Sequence, residues 1–222
     1  EGPVYRELYD KGVAMGSIAP QAFTEQPIFE YHLYSLDRKT NVNNNETKQI
    51  SLLNTEKVPV EKEFVYDGAA NADKVQVKMK FENSEKGGMG MPLPKGVVRV
   101  YKQDTDGQLQ FLGEDSIDHT PKDEKVEIAV GYAFDIKGER TQTEYTSVTK
   151  GITKQSYKIT LKNHKTEAVK VVVKENIGSG SKVTVSSDPF EQKSASEIEF
   201  TVDVPANGEK TVTYTYETRY FY

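Results

Sequence analysis

Apolar side chains recur at every second position along much of this chain, the period of a strand with one wet face and one dry face. The most informative run of them lies in residues 91–131. Val98 and Val100, then Leu109 and Phe111, stand in two short segments parted by Asp104-Thr105-Asp106-Gly107, with glycine where a turn most easily takes a positive φ. That pattern predicts a hairpin. Residues 118–123 form a second turn, after which Val126, Ile128 and Val130 alternate strictly and predict a third strand, so the whole segment reads as a β-meander.

The same reading extends in both directions. From Ile28, the side chains of Phe29, Tyr31 and Leu33 alternate with Glu30, His32 and Tyr34, and residues 41–45 supply an asparagine-rich turn. Residues 50–53, 58–66 and 74–81 follow as strands, with Pro59 expected at a sheet edge or a strand start. Lys74, Lys78 and Lys80 form the wet face of the last of these, opposite Val75, Val77, Met79 and Phe81. Residues 132–145 are expected to begin a separate strand. Beyond them Tyr157, Ile159 and Leu161, then Val169, Val171 and Val173, then Val183 and Val185, then Ile198, Phe200, Val202 and Val204 are each spaced by two. Asn207-Gly208 is the strongest short hairpin signal in the chain, and a last strand carries Val212, Tyr214 and Tyr216 toward Tyr220 and Tyr222.

Short strands at intervals of roughly 8 to 12 residues, with no amphipathic helix between them, give an all-β fold class. The expected organisation is two antiparallel β domains: an irregular linker over 1–26, a sandwich or barrel over 27–145, and an immunoglobulin-like β-sandwich over 146–222. The Cys and Trp hallmarks of antibody domains are missing, so the expectation concerns architecture alone.

Composition narrows the function. With 29 basic against 34 acidic residues the net charge is −5, and no basic cluster stands apart from neighbouring acids, which argues against a nucleic-acid partner. Cysteine is absent, which removes disulfides, thiolate metal sites and cysteine nucleophiles, and fits an exported bacterial protein as well as a reducing compartment. No run approaches the roughly 18 to 20 apolar residues of a membrane-spanning helix. The first residue is Glu1, read as the start of a processed or excised chain, so the lack of a signal peptide carries no weight on export.

Candidate chemistry is sparse. His32, His119 and His164 share no metal-ligand spacing. An EF-hand fails, because with Gly107 at the sixth loop position the first falls on Lys102 and the twelfth on Gly113. No nucleophile elbow, P-loop, dinucleotide fingerprint or H-E-x-x-H is present, and Gly178-Ser179-Gly180-Ser181 reads as a hairpin end. Asn45-Glu46-Thr47 matches a glycosylation sequon by pattern. The densest polar cluster is Asp115, Asp118, His119, Asp123 and Glu124, which suits either a divalent cation and proton transfer or a capped turn; the turn is preferred because Asp and Asn turns recur through the chain. Two further places suit a partner: the mobile loop around Met89 and Met91, and the terminal tyrosines Tyr220 and Tyr222. No cofactor, metal or catalytic residue is assigned.

Five stretches carry a family likeness: FEYHLYSL, ETKQISLL, FENSEKGGMGMPLPKGVVRVYK, FLGEDSIDHTPKDEKVEI and YKITLKNHKTEAVKVVV, which together cover most of residues 28–217. In this combination the chain resembles the bacterial domain of unknown function 4139 family, seen at the C-terminal end of exported or envelope-associated proteins, mucoidy-inhibitor-like ones among them. Longer relatives place a coiled coil before this domain, and its heptads are absent here. The resemblance implies an extracytoplasmic protein, periplasmic, cell-surface or secreted, and carries no catalytic role over. The expected function is therefore a non-catalytic scaffold or partner-binding module whose partner is a protein or cell-envelope component; the alternative is a carbohydrate-binding protein or hydrolase with its site between the two β domains.

Overall fold

A computed structural model describes residues 23–220 apart from 38, 49 and 54–57, and the chain divides into two units, Glu1–Lys57 and Val58–Tyr222. In the first unit, β1 (Phe23–Ile28) and β2 (Tyr31–Leu36) pair antiparallel, from Phe23 opposite Leu36 to Ile28 opposite Tyr31. Phe29 takes a φ of 57° in the tight turn between them. The alternation from Ile28 onward thus turns a corner at Phe29 instead of running on as one strand. Phe23 to Gln26, expected in the irregular entry, are strand because the YHLYSL segment supplies them with a hydrogen-bonding partner. Residues 50–53, expected as a strand, are not one; ISLL is too short a run, and no neighbouring segment pairs with it among the described residues.

The second unit begins with β3 (Glu61–Tyr66), a single helical turn α1 (Gly68–Asn71) capped by Asp67, and β4 (Lys74–Glu82). Pro59 precedes β3, where its missing N–H takes nothing from the sheet. Then follow β5 (Gly96–Gln103), β6 (Leu109–Ile117), β7 (Lys125–Thr149), β8 (Ile152–Asn163), β9 (Val169–Asn176), β10 (Ser181–Ser186), β11 (Glu191–Gln192), β12 (Glu197–Val204) and β13 (Gly208–Arg219). The fold is all-β, as the alternation requires.

Nine strands form one sheet in the order β10-β13-β8-β7-β4-β3-β9-β12-β11, and every neighbouring pair is antiparallel except β3 with β9. The sheet is therefore mixed, and strands from both sides of residue 146 belong to it. Residue 146 itself lies inside β7. This 25-residue strand takes in the two strands expected separately. Its first half pairs with β4 and its second with β8, and register shifts opposite Gln76 and Val77 let it pass from one partner to the other.

The sheet folds over so that β12 faces β8 and β13, and Phe200 on β12 meets Tyr214 on β13 with ring centroids 5.5 Å apart. Between the two halves lies the core, in which Tyr66, Val75, Ile136, Ile159, Leu161, Val171, Val173, Phe200 and Tyr214 are almost completely excluded from water. Asn207-Gly208 sits at this fold-over. It joins strands that do not pair with each other, since β12 bonds to β9 and β13 to β8, so it forms an arch and not the expected hairpin. Asn163 holds this arch in place: its buried amide donates to the carbonyls of Glu167 (2.8 Å), Pro205 (3.0 Å) and Val204 (3.3 Å) and so ties two turns together.

Among the described residues, β5 and β6 pair only with each other and form a separate two-stranded sheet. The third strand of the expected meander exists, but it pairs with β4. The hairpin rests instead on the early part of β7, where a Cβ on Gly113 would stand 2.1 Å from the Val130 carbonyl oxygen. Gly138 is required for the same reason in the core, since a Cβ there would stand 2.2 Å from the Tyr66 ring. Gly138→Ala is expected to destabilise the protein by about 2 kcal/mol or more through overpacking, read as a lower urea midpoint at unchanged slope.

Candidate functional site

Strand parity explains where the buried polar groups fall. In β4 the inward series Val75, Val77, Met79, Phe81 continues to Asn83; in β8 Tyr157, Ile159, Leu161 continues to Asn163. In β9 Val169, Val171, Val173 continues to Glu175, and in β13 Val212, Tyr214, Tyr216 continues to Thr218. Asn83, Asn163, Glu175 and Thr218 are the buried polar and charged residues of the described chain. Each is a polar group placed at the next dry position after an apolar run, where it must find partners within the protein.

Asn83 organises the region singled out in the sequence. Its Nδ2 donates to the carbonyls of Met91 (2.8 Å) and Pro121 (2.9 Å), and its Oδ1 accepts from the Gly90 amide (3.2 Å). Its backbone bonds to Glu124 and Asp123 at 2.9 and 2.8 Å. The Met89–Met91 loop and the acidic turn, read as two separate candidates, are thus one knot. Lys122 donates to Glu85 across it (2.6 Å), and Leu93 and Thr120 bridge it in both directions. Met89 and Met91 are half-buried, so the loop is anchored where mobility was expected.

The side chains of this cluster bond backbone amides, some within the turn and some on neighbouring segments, and Asp115 itself lies in β6. Asp115 Oδ2 accepts from the Ala129 amide of β7 (2.8 Å) while Oδ1 accepts from Ser116; Asp118 Oδ1 accepts from the His119 amide (2.9 Å). His119 Nδ1 accepts from the Lys95 amide at 3.3 Å. Asp123 takes a φ of 65°, and Asp123 and Glu124 join the knot through backbone groups. Among the described residues no group of three or more His, Asp or Glu side chains is arranged to hold a metal ion. Tyr220 is half exposed, its amide bonded to Gly151, and Tyr222 lies outside the described residues. The terminal strand is not a sheet edge. Up to Arg219, β13 has β8 on one side, and from Ser181 to Ser186 β10 covers the other.

The strongest electrostatic feature among the described residues belongs to no sequence motif. Arg140 on β7 donates from Nε to both carboxylate oxygens of Glu175 on β9 (2.9 and 3.1 Å), and the Tyr214 hydroxyl donates to the same carboxylate. The guanidinium lies 3.9 Å from the centroid of the Tyr157 ring, which in turn stacks on Tyr214 and Tyr216. Burial pushes the Glu175 carboxyl up, against the pull of its bonds from Tyr214 and Arg140. Burial also opposes the charge on Arg140, yet the Glu175 carboxylate outweighs it and holds the guanidinium above its ordinary range. Tyr214 is raised by burial and then by Glu175, and Tyr66 is pushed up to about 12 by the same two causes. Tyr216 is likewise pushed up to about 12, by burial and then by Tyr157. The parity of β9, which puts a glutamate at a dry position, was the signal for this cluster.

Two surface regions remain. A groove of about 300 Å³ lies over β7 and β8, lined by Asp73, Lys137, Gly138, Glu139, Thr160 and Lys162. Lys137 and Lys162 stand directly opposite each other in the ladder; Asp73 pairs with Lys137 at 2.9 Å, and this bond holds the Asp73 carboxyl below its ordinary value. The β5–β6 hairpin, by contrast, shows water an apolar surface: Val97, Tyr101, Leu109, Phe111 and Leu112 are all exposed, as are Tyr132 and Phe134 on the adjoining part of β7. Tyr101 and Phe111 meet edge to face with centroids 5.6 Å apart.

No family model matches the chain, and no curated protein and no solved structure matches it.

Removing one member of the buried pair is expected to cost more than removing both. Glu175→Ala leaves Arg140 without its counter-charge and is expected to destabilise by about 3 kcal/mol or more, whereas Arg140→Met combined with Glu175→Leu recovers most of that loss in denaturant unfolding. The tyrosines fix a pH window. Their folded values lie above the unfolded value of about 10, so their contribution is complete below pH ~10 and is lost as pH rises through the folded values near 12. Stability measured by urea titration is expected to fall across that interval, in step with the rise of tyrosinate absorbance.

Proposed function

We propose that this protein is a non-catalytic β module of the bacterial cell envelope or exterior, working as a scaffold or partner-binding unit through its β5–β6 hairpin. The observation that carries the reading is the concentration of exposed apolar side chains on this hairpin and the adjoining β7 segment. Monomeric soluble proteins seldom leave such a surface uncovered. The hairpin is held by Gly113 against Val130 and by Asp115 on Ala129, so its outer face is presented on a rigid base. The hairpin carries one ion pair, Arg99–Glu114, and the rest of the outer surface is laced with others such as Lys80–Glu63, Lys174–Glu199 and Lys193–Glu199, a pattern suited to water.

The likeness of five sequence stretches to the domain of unknown function 4139 family supports an extracytoplasmic location, and the lack of cysteine agrees with it. An immunoglobulin-like sandwich over the C-terminal strands is part of the same proposal. It is supported by the face-to-face contact of β12 with β8 and β13 and by the arch at Asn207-Gly208. The second reading, a carbohydrate-binding protein or hydrolase, finds its support in the groove over β7 and β8, which combines two lysines, two carboxylates and a threonine.

These readings separate by experiment. The immobilised protein is expected to retain a component of a bacterial envelope extract that Leu109→Ser combined with Phe111→Ser fails to retain, with the thermal midpoint of the variant within about 2 °C of the parent. Equal retention by both proteins would sink the partner-binding reading. A thermal-shift screen with sugars and divalent cations tests the groove; a reproducible shift that Glu139→Gln removes would favour the second reading.

A further inference from the structure

We propose that β5 is a self-pairing edge, and that a second copy of this chain adds its own β5 antiparallel to it, joining two hairpins into one four-stranded sheet. The inference deepens the partner-binding reading of the same hairpin and rests on it.

β5 pairs with β6 on one side, and among the described residues no strand pairs with its other side. A two-stranded sheet left with an open flank is marginal in water and gains most from a further strand. Two of the other edges of this unit are interrupted, while β12 is covered on its outer side only at Ile198 and Glu199. β10 carries a bulge at Thr184, and the distal half of β7 carries bulges at Thr143 and Val148, devices that turn an edge away from pairing. In the β5–β6 ladder the extra residue is Leu112 on β6, so β5 itself runs unbroken, and from Val97 to Gln103 it contains neither proline nor glycine.

The sequence of β5 also selects the register. A two-fold centred on Val100 opposes Val100 to Val100 of the second copy, Arg99 to its Tyr101, Val98 to its Lys102 and Val97 to its Gln103. Every residue from Val97 to Gln103 is then paired, and no like charges meet. Arg99, whose Nε donates to Glu114 of its own hairpin at 2.9 Å, falls with its guanidinium beside the ring of the opposing Tyr101, a favourable cation–π partner. Centring on Arg99 instead takes Gly96 into the ladder and leaves Gln103 unpaired, and centring on Val98 or Tyr101 shortens the ladder. Tyr101, Phe111 and Val97 share the outer face of the hairpin, so pairing gathers the apolar side chains of both copies on one surface.

The absence of cysteine makes a direct test available. Residues directly opposite in an antiparallel ladder have Cα atoms about 4.5 to 5.5 Å apart, within disulfide reach. Val100→Cys is therefore expected to form an interchain disulfide under mild oxidation, while Val97→Cys, which faces Gln103, is not. The full chain is expected to sediment as a dimer at about 100 µM, and Tyr101→Lys, which opposes a lysine to Arg99, to weaken association at least about tenfold at an unchanged thermal midpoint. A monomeric parent, a dimer that survives Tyr101→Lys, or equal cross-linking at both cysteine positions overturns the proposal. A monomer that still retains its envelope component through Leu109 and Phe111 overturns self-pairing alone and leaves the partner-binding reading standing.

Discussion

Everything in the larger unit is referred to one strand, β7. It bonds to β4 through its first half and to β8 through its second, and it carries Val130 and Ala129 beneath the β5–β6 hairpin. Gly138 makes room for the Tyr66 ring, and Arg140 reaches Glu175 on the far half of the sheet. A single twenty-five-residue element therefore sets the position of the core, the buried ion pair and the exposed hairpin at once. Displacing its register by one residue would turn Ile136, Gly138 and Arg140 outward together.

The ion pair is the costliest element of that arrangement. Two charges are taken out of water, and their attraction offsets the loss only because the partners are fully supplied: two bonds from Arg140, one from Tyr214 and a ring face from Tyr157. Glu175 has no equivalent partner in another register. The pair thus fixes how the two halves of the sheet meet, a role that apolar side chains fill with less discrimination.

Period and turn chemistry made most strands legible. Val169, Val171 and Val173 or Ile198, Phe200, Val202 and Val204 needed no structure to be placed on a dry face, and they lie on one. The order of strands in the sheet was not legible, because alternation is a property of one strand and is silent on its neighbours. Asn207-Gly208 illustrates the limit: the dipeptide fixes a tight reversal, but the flanking strands take partners elsewhere, β12 on β9 and β13 on β8, and the arch between them is tied to Asn163, more than forty residues away. β7 was divided in reading because its parity slips where it changes partner. The candidate site was half legible. Asp118, His119, Asp123 and Glu124 lie in the connection between β6 and β7, whereas Asp115 lies in β6 itself, and the residue that ties this connection to the Met89–Met91 loop is Asn83, which looks in sequence like an ordinary strand end. Following the parity one step past each apolar run picks out Asn83, Asn163 and Glu175.

The parallel contact between β3 and β9 has a consequence for how the chain reaches its native state. β3 meets β4 soon after both are made, but Phe64 finds Val171 over a hundred residues later in the chain. Until β9 arrives, β3 offers an open edge next to the apolar side chains of Phe64 and Tyr66. Closing so long a loop is slow, and the waiting edge is exposed to other chains meanwhile. The early β3–β4 hairpin is thus the point at which a chaperone, or a crowd of its own nascent copies, has the longest opportunity to intervene.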